Sequence, residues 1–204
     1  MANHLYQGDL PDGLDLGPVV AIDCETMGLI PARDRLCLVQ LSCGDGDAHL
    51  VQIAQDQTKA PNLVRMLANA DQLKLFHFGR FDIAVLLHRF GVLTTPVYCT
   101  KIASKLARTY TDRHGLKHLL MEMLNTDISK HQQSSDWGAG ELSAAQLDYA
   151  ASDVLYLHKL RDLLDGMLAR EDRTDLAAAC FEFLPWRANL DLAGWPDTDI
   201  FAHS

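Results

Sequence analysis

The chain has 204 residues, of which 48% are hydrophobic, and this predicts one compact domain over residues 1–204 rather than two full ones. Its formal net charge of -9 argues against a protein that coats nucleic acid, because that kind of phosphate binding needs an excess of Lys and Arg. No stretch is long and apolar enough for a membrane span, the N-terminus lacks a signal-peptide pattern, and five scattered cysteines indicate neither a disulfide framework nor a zinc site. We therefore expect a cytoplasmic protein that does not bind membranes.

The apolar residues predict strands in the first half of the chain and mainly helices in the second. Short apolar runs indicate strands, whereas apolar positions three or four residues apart indicate helices. The predicted elements, in chain order, are strands at 19–22, 36–41 and 49–53, a helix at 61–70, a strand at 73–78, and helices at 81–90, 100–109, 115–124, 143–165 and 170–183. Three consecutive strands suggest an antiparallel meander, and the full order predicts an α/β fold with a mixed β-sheet flanked by α-helices.

The last twenty residues, 185–204, are too apolar for a solvated end. They include Trp186, Trp195, Ile200 and Phe201. We expect this tail to pack on the domain or on a neighbouring subunit.

Two carboxylates stand at the end of the first predicted strand. Side chains alternate along a strand, so Asp23 and Glu25 share one face while Cys24 points to the other, toward the core. Two acids on one face repel each other unless a cation lies between them, and Mg²⁺ or Mn²⁺ suits such hard oxygen ligands. The alternative is a strand that ends at Ile22 and is followed by two solvated acids.

Three later residues extend this pattern. Asp82 begins a helix directly after a strand, at the edge where open α/β sheets place their sites, although it could equally serve as a helix cap. Tyr149 and Asp153 are four residues apart, which puts them on one face of a predicted helix.

The order Asp-x-Glu, then Asp, then Tyr-x-x-x-Asp resembles the three exonuclease motifs of the DEDD superfamily in its tyrosine subclass. The stretches at 36–41, 135–137 and 146–157 resemble the ribonuclease D group. Full-length ribonuclease D has helical nucleic-acid-binding domains after its catalytic domain, and from the 204 residues of this sequence we expect no such domains here.

Over nearly its whole length the sequence is more similar to the short bacterial members called nano-RNase C. The stretches that carry this closer resemblance lie at 76–82, 99–106, 108–117 and 187–192. The resemblance implies a ribonuclease H-like exonuclease fold, two divalent metal ions, removal of nucleotides from the 3′ end, a preference for dinucleotides and a ring-shaped homo-octamer.

The resemblance also implies roles for the five motif residues. We expect Asp23 to bridge two ions, Glu25 and Asp153 to hold the ion that activates water, and Asp82 to serve the second ion largely through water. The unperturbed pKa of a tyrosine is near 10, so Tyr149 is a poor general base at neutral pH, and we expect it to orient the attacking water.

Residues around these motifs are candidates for substrate contacts. Met27, Gly28 and Leu29 follow the acid pair, and in related oligoribonucleases an apolar residue here lies between the two substrate bases. Leu29 is the first choice and Met27 the second, whereas an ordinary loop hydrophobe is the alternative.

A second group of candidates is basic, aromatic or polar. Helical spacing places Lys101, Lys105 and Arg108 on one basic face that could bind a 5′ phosphate, although a solvated or salt-bridged face explains it as well. The remaining candidates are His77 and Phe78, which precede Gly79, and Gln132, Ser135 and Trp137 in the polar loop 130–138. His77 could also be a core histidine, and Trp137 could only anchor its loop.

The leading hypothesis is a metal-dependent 3′-5′ exoribonuclease that cleaves short RNA, especially 5′-phosphorylated dinucleotides, to mononucleotides. A broader ribonuclease D-like exonuclease acting on longer RNA, tRNA 3′ ends or DNA is the alternative within enzymes. An inactive nucleic-acid-binding scaffold is the alternative from another class, and the intact set of acids argues against it.

Overall fold

In a computed structural model, thirteen helices and strands are found in residues 2–129 and 131–203, which are the residues that the structure describes. The elements, in chain order, are β1 (Asn3–Gln7), β2 (Val19–Thr26), β3 (Leu36–Ser42), β4 (Ala48–Gln52), α1 (Pro61–Ala68), β5 (Leu73–Phe76), α2 (Arg80–Phe90), β6 (Val97–Cys99), α3 (Thr100–Ala107), α4 (Leu116–Leu124), α5 (Ala144–Ser152), α6 (Leu157–Arg170) and α7 (Thr174–Leu192). Met1, Lys130 and Ser204, which belong to the predicted domain, lie outside the described residues.

The strands form one six-stranded mixed sheet in the order β1-β4-β3-β2-β5-β6. The pairs β2/β3 and β3/β4 are antiparallel, which confirms the predicted meander, whereas β1/β4, β2/β5 and β5/β6 are parallel. The predicted α/β class is therefore confirmed. β2 lies inside the sheet, between β3 and β5, and this gives its carboxyl end a rigid mounting.

Helices cover both faces of the sheet. Alternate residues of β2 separate the two hydrophobic cores, because Val20, Ile22 and Cys24 belong to one core and Ala21 belongs to the other. The first core is shared with α1, α2 and the second half of α7, and the other with α3, α4, α5 and α6.

Several sequence-based expectations differ from the structure. The short strands β1 and β6 were not predicted, since β1 is polar with alternating exposure, β6 has three residues, and both are held by pairing with a neighbouring strand. The single helix expected at 143–165 is two helices, α5 and α6, separated by a turn.

The helix expected at 170–183 also differs, because it begins at Thr174 and continues to Leu192 through Pro185. Proline normally interrupts a helix by removing a backbone donor. Here Leu184, Pro185 and Ala188 are buried, and their packing maintains the helix. No helix among the described residues combines the length and the apolar character needed to cross a bilayer.

Lys74 is a fully buried basic residue in β5, which lies between β2 and the edge strand β6. Its Nζ donates to the backbone carbonyls of Asn69 and Thr95, the latter at 2.8 Å. Burial lowers the pKa of this ammonium group from its ordinary 10.5 to about 8.

This burial predicts a stability change in alkaline solution. Between pH 8 and pH 10.5 the folded lysine is neutral while the unfolded lysine is still protonated, so unfolding takes up a proton and the free energy of unfolding rises with pH. Denaturant titrations of the wild type and Lys74→Met across this range should show the wild type gaining stability relative to the variant. A constant difference between the two proteins would contradict the lowered pKa.

Candidate active site

The acid pair lies within β2, since this strand continues past Ile22 to Thr26. Gln40 stands opposite Asp23 on β3, and its Nε2 donates to Asp23 Oδ2 at 3.1 Å and to Glu25 Oε1 at 3.5 Å. Gln40 is fully buried, so its amide orients both carboxylates from within the sheet. Gln40 was not among the predicted site residues, because its only signal in the sequence is that it is polar within an apolar run.

Asp153 joins this pair from the end of α5, where it is the C-terminal cap. One carboxylate oxygen from each of Asp23, Glu25 and Asp153 lies within 4.8 Å of the others. Three hard oxygen donors at such separations are a suitable ligand set for Mg²⁺ or Mn²⁺. The residues present therefore fit a divalent cation.

Asp82 approaches from the first turn of α2 and is 4% exposed. Its carboxylate accepts hydrogen bonds from the thiol and the backbone amide of Cys24, and also from its own backbone amide. Asp82 thus has a cap-like bond and a place in the same cleft as the other three acids. Cys24, which points into the core as expected, orients Asp82.

The four carboxylates are electrostatically unfavourable as a group of anions. Burial, followed by the charges of Asp82, Asp153 and Glu25, raises the pKa of Asp23 well above its usual range. Burial is also the main reason that the pKa of Glu25 is raised to about 9 and the pKa of Asp82 to about 7. A bound divalent cation would favour the charged forms and lower these pKa values.

Tyr149 lies one helical turn before Asp153 on α5. Burial, followed by the charge of Asp153, raises the pKa of its phenol above the ordinary value. The neutral phenol can therefore donate a hydrogen bond at physiological pH but cannot serve as a base. Its ring centroid lies 5.9 Å from that of Trp137, which is 2% exposed.

The described part of the polar loop, 131–138, is tied to α5. Gln146 forms a capping box with Ser143, and its Nε2 donates to Ser135 Oγ at 3.2 Å and to the Asp136 carbonyl at 3.1 Å. The loop and the helix that carries Tyr149 therefore form one connected unit.

All five motif residues line one open cleft with a volume of about 620 Å³. Most of the expected substrate-contact residues also line it, namely Met27, Gly28, Leu29, His77, Phe78, Lys101, Ser135 and Trp137. Gln133 and Ser134 line the cleft as well, and no sequence signal distinguished them from their loop neighbours.

His77, Phe78 and Lys101 form one part of the cleft wall. Because the Thr100 hydroxyl donates to the Phe76 carbonyl at 3.1 Å, its oxygen accepts from His77 Nδ1 at 2.9 Å. Phe78 has a left-handed backbone with φ of 68° and is about half exposed. The Lys101 ammonium lies 4.3 Å from the centre of its ring, so the cation is held at the cleft.

The expected basic face of three residues is not formed. Helix α3 ends at Ala107, which breaks the helical spacing before Arg108. Arg108 is fully buried, and its guanidinium binds Glu122 at 2.5 Å and Ser104 at 3.0 Å. The expectation that Arg108 shares one helical face with Lys101 and Lys105 is therefore wrong, and its ion pair with Glu122 agrees with the salt-bridged alternative.

Two other candidates lie outside the cleft lining. Lys105 is exposed on α3, and Gln132 is partly buried in the loop next to the lining residue Gln133.

Comparisons with known proteins identify relatives of this chain. A family model described as 3′-5′ exonuclease matches residues 10–169. The chain is 34% identical to ribonuclease D of Acidiphilium cryptum over 169 residues, which cover 83% of this chain and 43% of that protein. It therefore spans less than half the length of that curated relative.

Solved structures include similar chains of the same length. Brucella melitensis NrnC with bound Mg²⁺ is 57% identical with a TM-score of 0.96, and NrnC of the same organism bound to pGG is 58% identical with a TM-score of 0.97. Each comparison covers 100% of both chains. Given the matched family model and the four acids and one tyrosine that share a cleft, this chain belongs to the 3′-5′ exonuclease family.

Proposed function

We propose that the protein is a divalent-metal-dependent 3′-5′ exoribonuclease that preferentially hydrolyses 5′-phosphorylated dinucleotides to mononucleotides. The observation that carries this proposal is the convergence of Asp23, Glu25 and Asp153, with Asp82 in the same cleft. A similar protein that has been solved with bound Mg²⁺ and with pGG supports both the metal and the short substrate.

The carboxylates would hold two divalent cations, Mg²⁺ or Mn²⁺. Two such ions, when bound, neutralise the scissile phosphate and supply an activated water. Asp23 would help to hold both ions, Glu25 and Asp153 would hold the one that activates water, and Asp82 would hold the other. Gln40 and the Cys24 thiol keep the carboxylates in place. The Tyr149 hydroxyl, whose raised pKa keeps it protonated, would orient the attacking water.

The cleft supplies contacts for a short strand. Leu29 is 85% exposed at the rim, where its side chain can enter between two bases, and Met27 lies next to it. The ammonium of Lys101 lies over Phe78, where it can bind a 5′ phosphate. An enzyme that contacts both ends of a dinucleotide realises its full binding energy only when those ends are two nucleotides apart.

The proposed unit is a single exonuclease domain over residues 1–204 that assembles into a homo-octamer. Large apolar side chains remain 46% exposed or more at Trp186, Trp195, Ile200 and Phe201. Contact with neighbouring subunits would remove this surface from water.

The carboxylate assignment is tested by four single variants, Asp23→Asn, Glu25→Gln, Asp82→Asn and Asp153→Asn. Each should lower kcat by about a hundredfold or more, because each removes a charge that holds a cation at the phosphate. Added Mg²⁺ should raise the melting temperature of the wild type, since a ligand of the folded state stabilises it, and should raise it less in the variants.

Asp162→Asn on α6 is the matched control, because Asp162 is an exposed acid outside the cleft. It should keep both the activity and the response to Mg²⁺. Near wild-type turnover in any of the four site variants would remove that residue from the metal site.

Substrate length is tested with 5′-phosphorylated RNAs of two to seven nucleotides. The value of kcat/KM for the dinucleotide should exceed that for the seven-nucleotide RNA by about tenfold or more, because a longer strand places an internal phosphodiester where the terminal phosphate binds. Product analysis by length gives the measurement. Similar values for both substrates would instead support the broader exonuclease on longer RNA.

Assembly is tested by light scattering at micromolar concentration. The expected mass is eight times the 22.7 kDa of one chain, because the exposed apolar tail requires a covering surface. Phe201→Ser together with Ile200→Ser should shift the protein toward smaller species. A wild-type mass of 22.7 kDa would contradict the octamer.

A further inference from the structure

The loop between β2 and β3 is held in one conformation by hydrogen bonds among its own residues. This segment, Met27–Arg35, is the wedge loop. It closes with a hydrogen bond from the Met27 amide to the Arg35 carbonyl at 3.1 Å. At its tip Leu29 is 85% exposed and lines the cleft that contains the carboxylates.

The side chain of Asp34 occupies the interior of the wedge loop and is 11% exposed. Its Oδ2 accepts the Ile30 amide at 2.9 Å, and the Leu29 amide also donates to this carboxylate. The backbone amide of Asp34 returns a hydrogen bond to the Ile30 carbonyl at 2.8 Å. The backbone on both sides of the Leu29–Ile30 peptide bond is therefore held by one acid.

Gly28 lies directly against the same carboxylate. A Cβ atom at this position would overlap the Asp34 carboxyl group, so only glycine allows the approach. The Thr26 hydroxyl donates to the Gly28 carbonyl and fixes the entrance to the loop. Residues on both sides of Leu29 are thus constrained, while the Leu29 side chain itself remains exposed.

An exposed leucine on a mobile loop would have to be ordered each time a substrate bound, and this ordering opposes binding. A leucine on a fixed backbone avoids that cost, because its position is set before the ligand arrives. The carboxylate of Asp34 provides this fixed backbone with charge-assisted hydrogen bonds, which are stronger than neutral ones.

We propose that Asp34 is a specificity-determining positioning residue, whose carboxylate holds the wedge loop so that Leu29 is presented between the two bases of a dinucleotide. This inference rests on the proposed function. Asp34 is not among the residues that line the cleft, so it would act through Leu29. Its contribution therefore belongs to substrate binding and not to the chemical step.

A double-mutant cycle between Asp34 and Leu29 tests the inference. On the wild-type background, Asp34→Ala should lower kcat/KM for a 5′-phosphorylated dinucleotide by about fivefold to tenfold, the scale of ordering one side chain. The loss should appear mainly in KM, with kcat largely kept. On the Leu29→Ala background the same change should cost less than about twofold, because no wedge remains to be positioned.

Two further variants distinguish the contacts of the Asp34 carboxylate with the loop amides from its ion pair with Arg33. Asp34→Asn keeps an acceptor for the loop amides and should restore most of the lost kcat/KM. Arg33→Gln removes the exposed ion pair between Arg33 Nε and Asp34 Oδ1 at 2.7 Å and leaves the amide contacts intact, so it should behave like the wild type. An equal loss from Asp34→Ala on both backgrounds would overturn the inference, as would a Leu29→Ala variant with wild-type KM.

Amide hydrogen exchange gives a readout that needs no substrate. Asp34→Ala should speed exchange at the Leu29 and Ile30 amides while the amides of β2 stay protected. Unchanged exchange at both amides would overturn the inference even if activity fell. Equal wild-type values of kcat/KM for two-nucleotide and seven-nucleotide RNAs would instead count against the proposed function, and faster exchange would still support the loop assignment.

Discussion

Repulsion among four carboxylates that share one cleft is the constraint on which the rest of this structure depends. Burial and mutual repulsion raise the pKa values of Asp23, Glu25 and Asp82, so the group is costly to assemble as anions. Such a cluster persists only when the surrounding fold holds its members rigidly or when a cation compensates their charge. In this protein the sheet holds the acid pair rigidly, and the carboxylate oxygens are a suitable ligand set for a divalent cation.

The rigid mounting comes from several elements that meet at one end of β2. The acid pair is fixed within the sheet by Gln40, whereas Asp82 is fixed from the opposite core by Cys24. Asp153 arrives on α5, which the capping box of Gln146 links to the neighbouring loop. The acid pair, Asp82 and Asp153 therefore have three separate supports, and a change in one support need not displace the carboxylates held by the others.

Side chains at the surface of the cleft are also held in place by neighbouring residues. The Lys101 ammonium lies over the ring of Phe78, and Tyr149 packs against Trp137. Leu29 lies on the wedge loop, whose backbone amides bind the Asp34 carboxylate. These arrangements keep the groups that would meet a substrate in one position. Preorganisation of this kind favours discrimination between ligands of similar chemistry, because a fixed site fits few lengths and shapes.

The sequence by itself determined the fold class and the motif acids. Apolar periodicity is a local property, and it was enough to locate the meander and the α/β order. The spacing Asp-x-Glu placed Asp23 and Glu25 on one face because strand side chains alternate, and the four-residue spacing paired Tyr149 with Asp153. The predicted helix bounds were wrong where tertiary packing outweighs the local sequence pattern. The helix that continues through Pro185 and the break between α5 and α6 are the two cases.

Only the tertiary structure decided which distant residues support the site and which charges remain available to it. Gln40 and Asp34 carry no distinguishing local signal, since their roles depend on atoms that chain folding brings within hydrogen-bonding distance. Arg108 had the spacing of a phosphate-binding residue, but α3 ends just before it and its charge is paired with Glu122 in a buried position. Sequence spacing fixes where a side chain lies along its own element, whereas burial and pairing are set by every element packed against it.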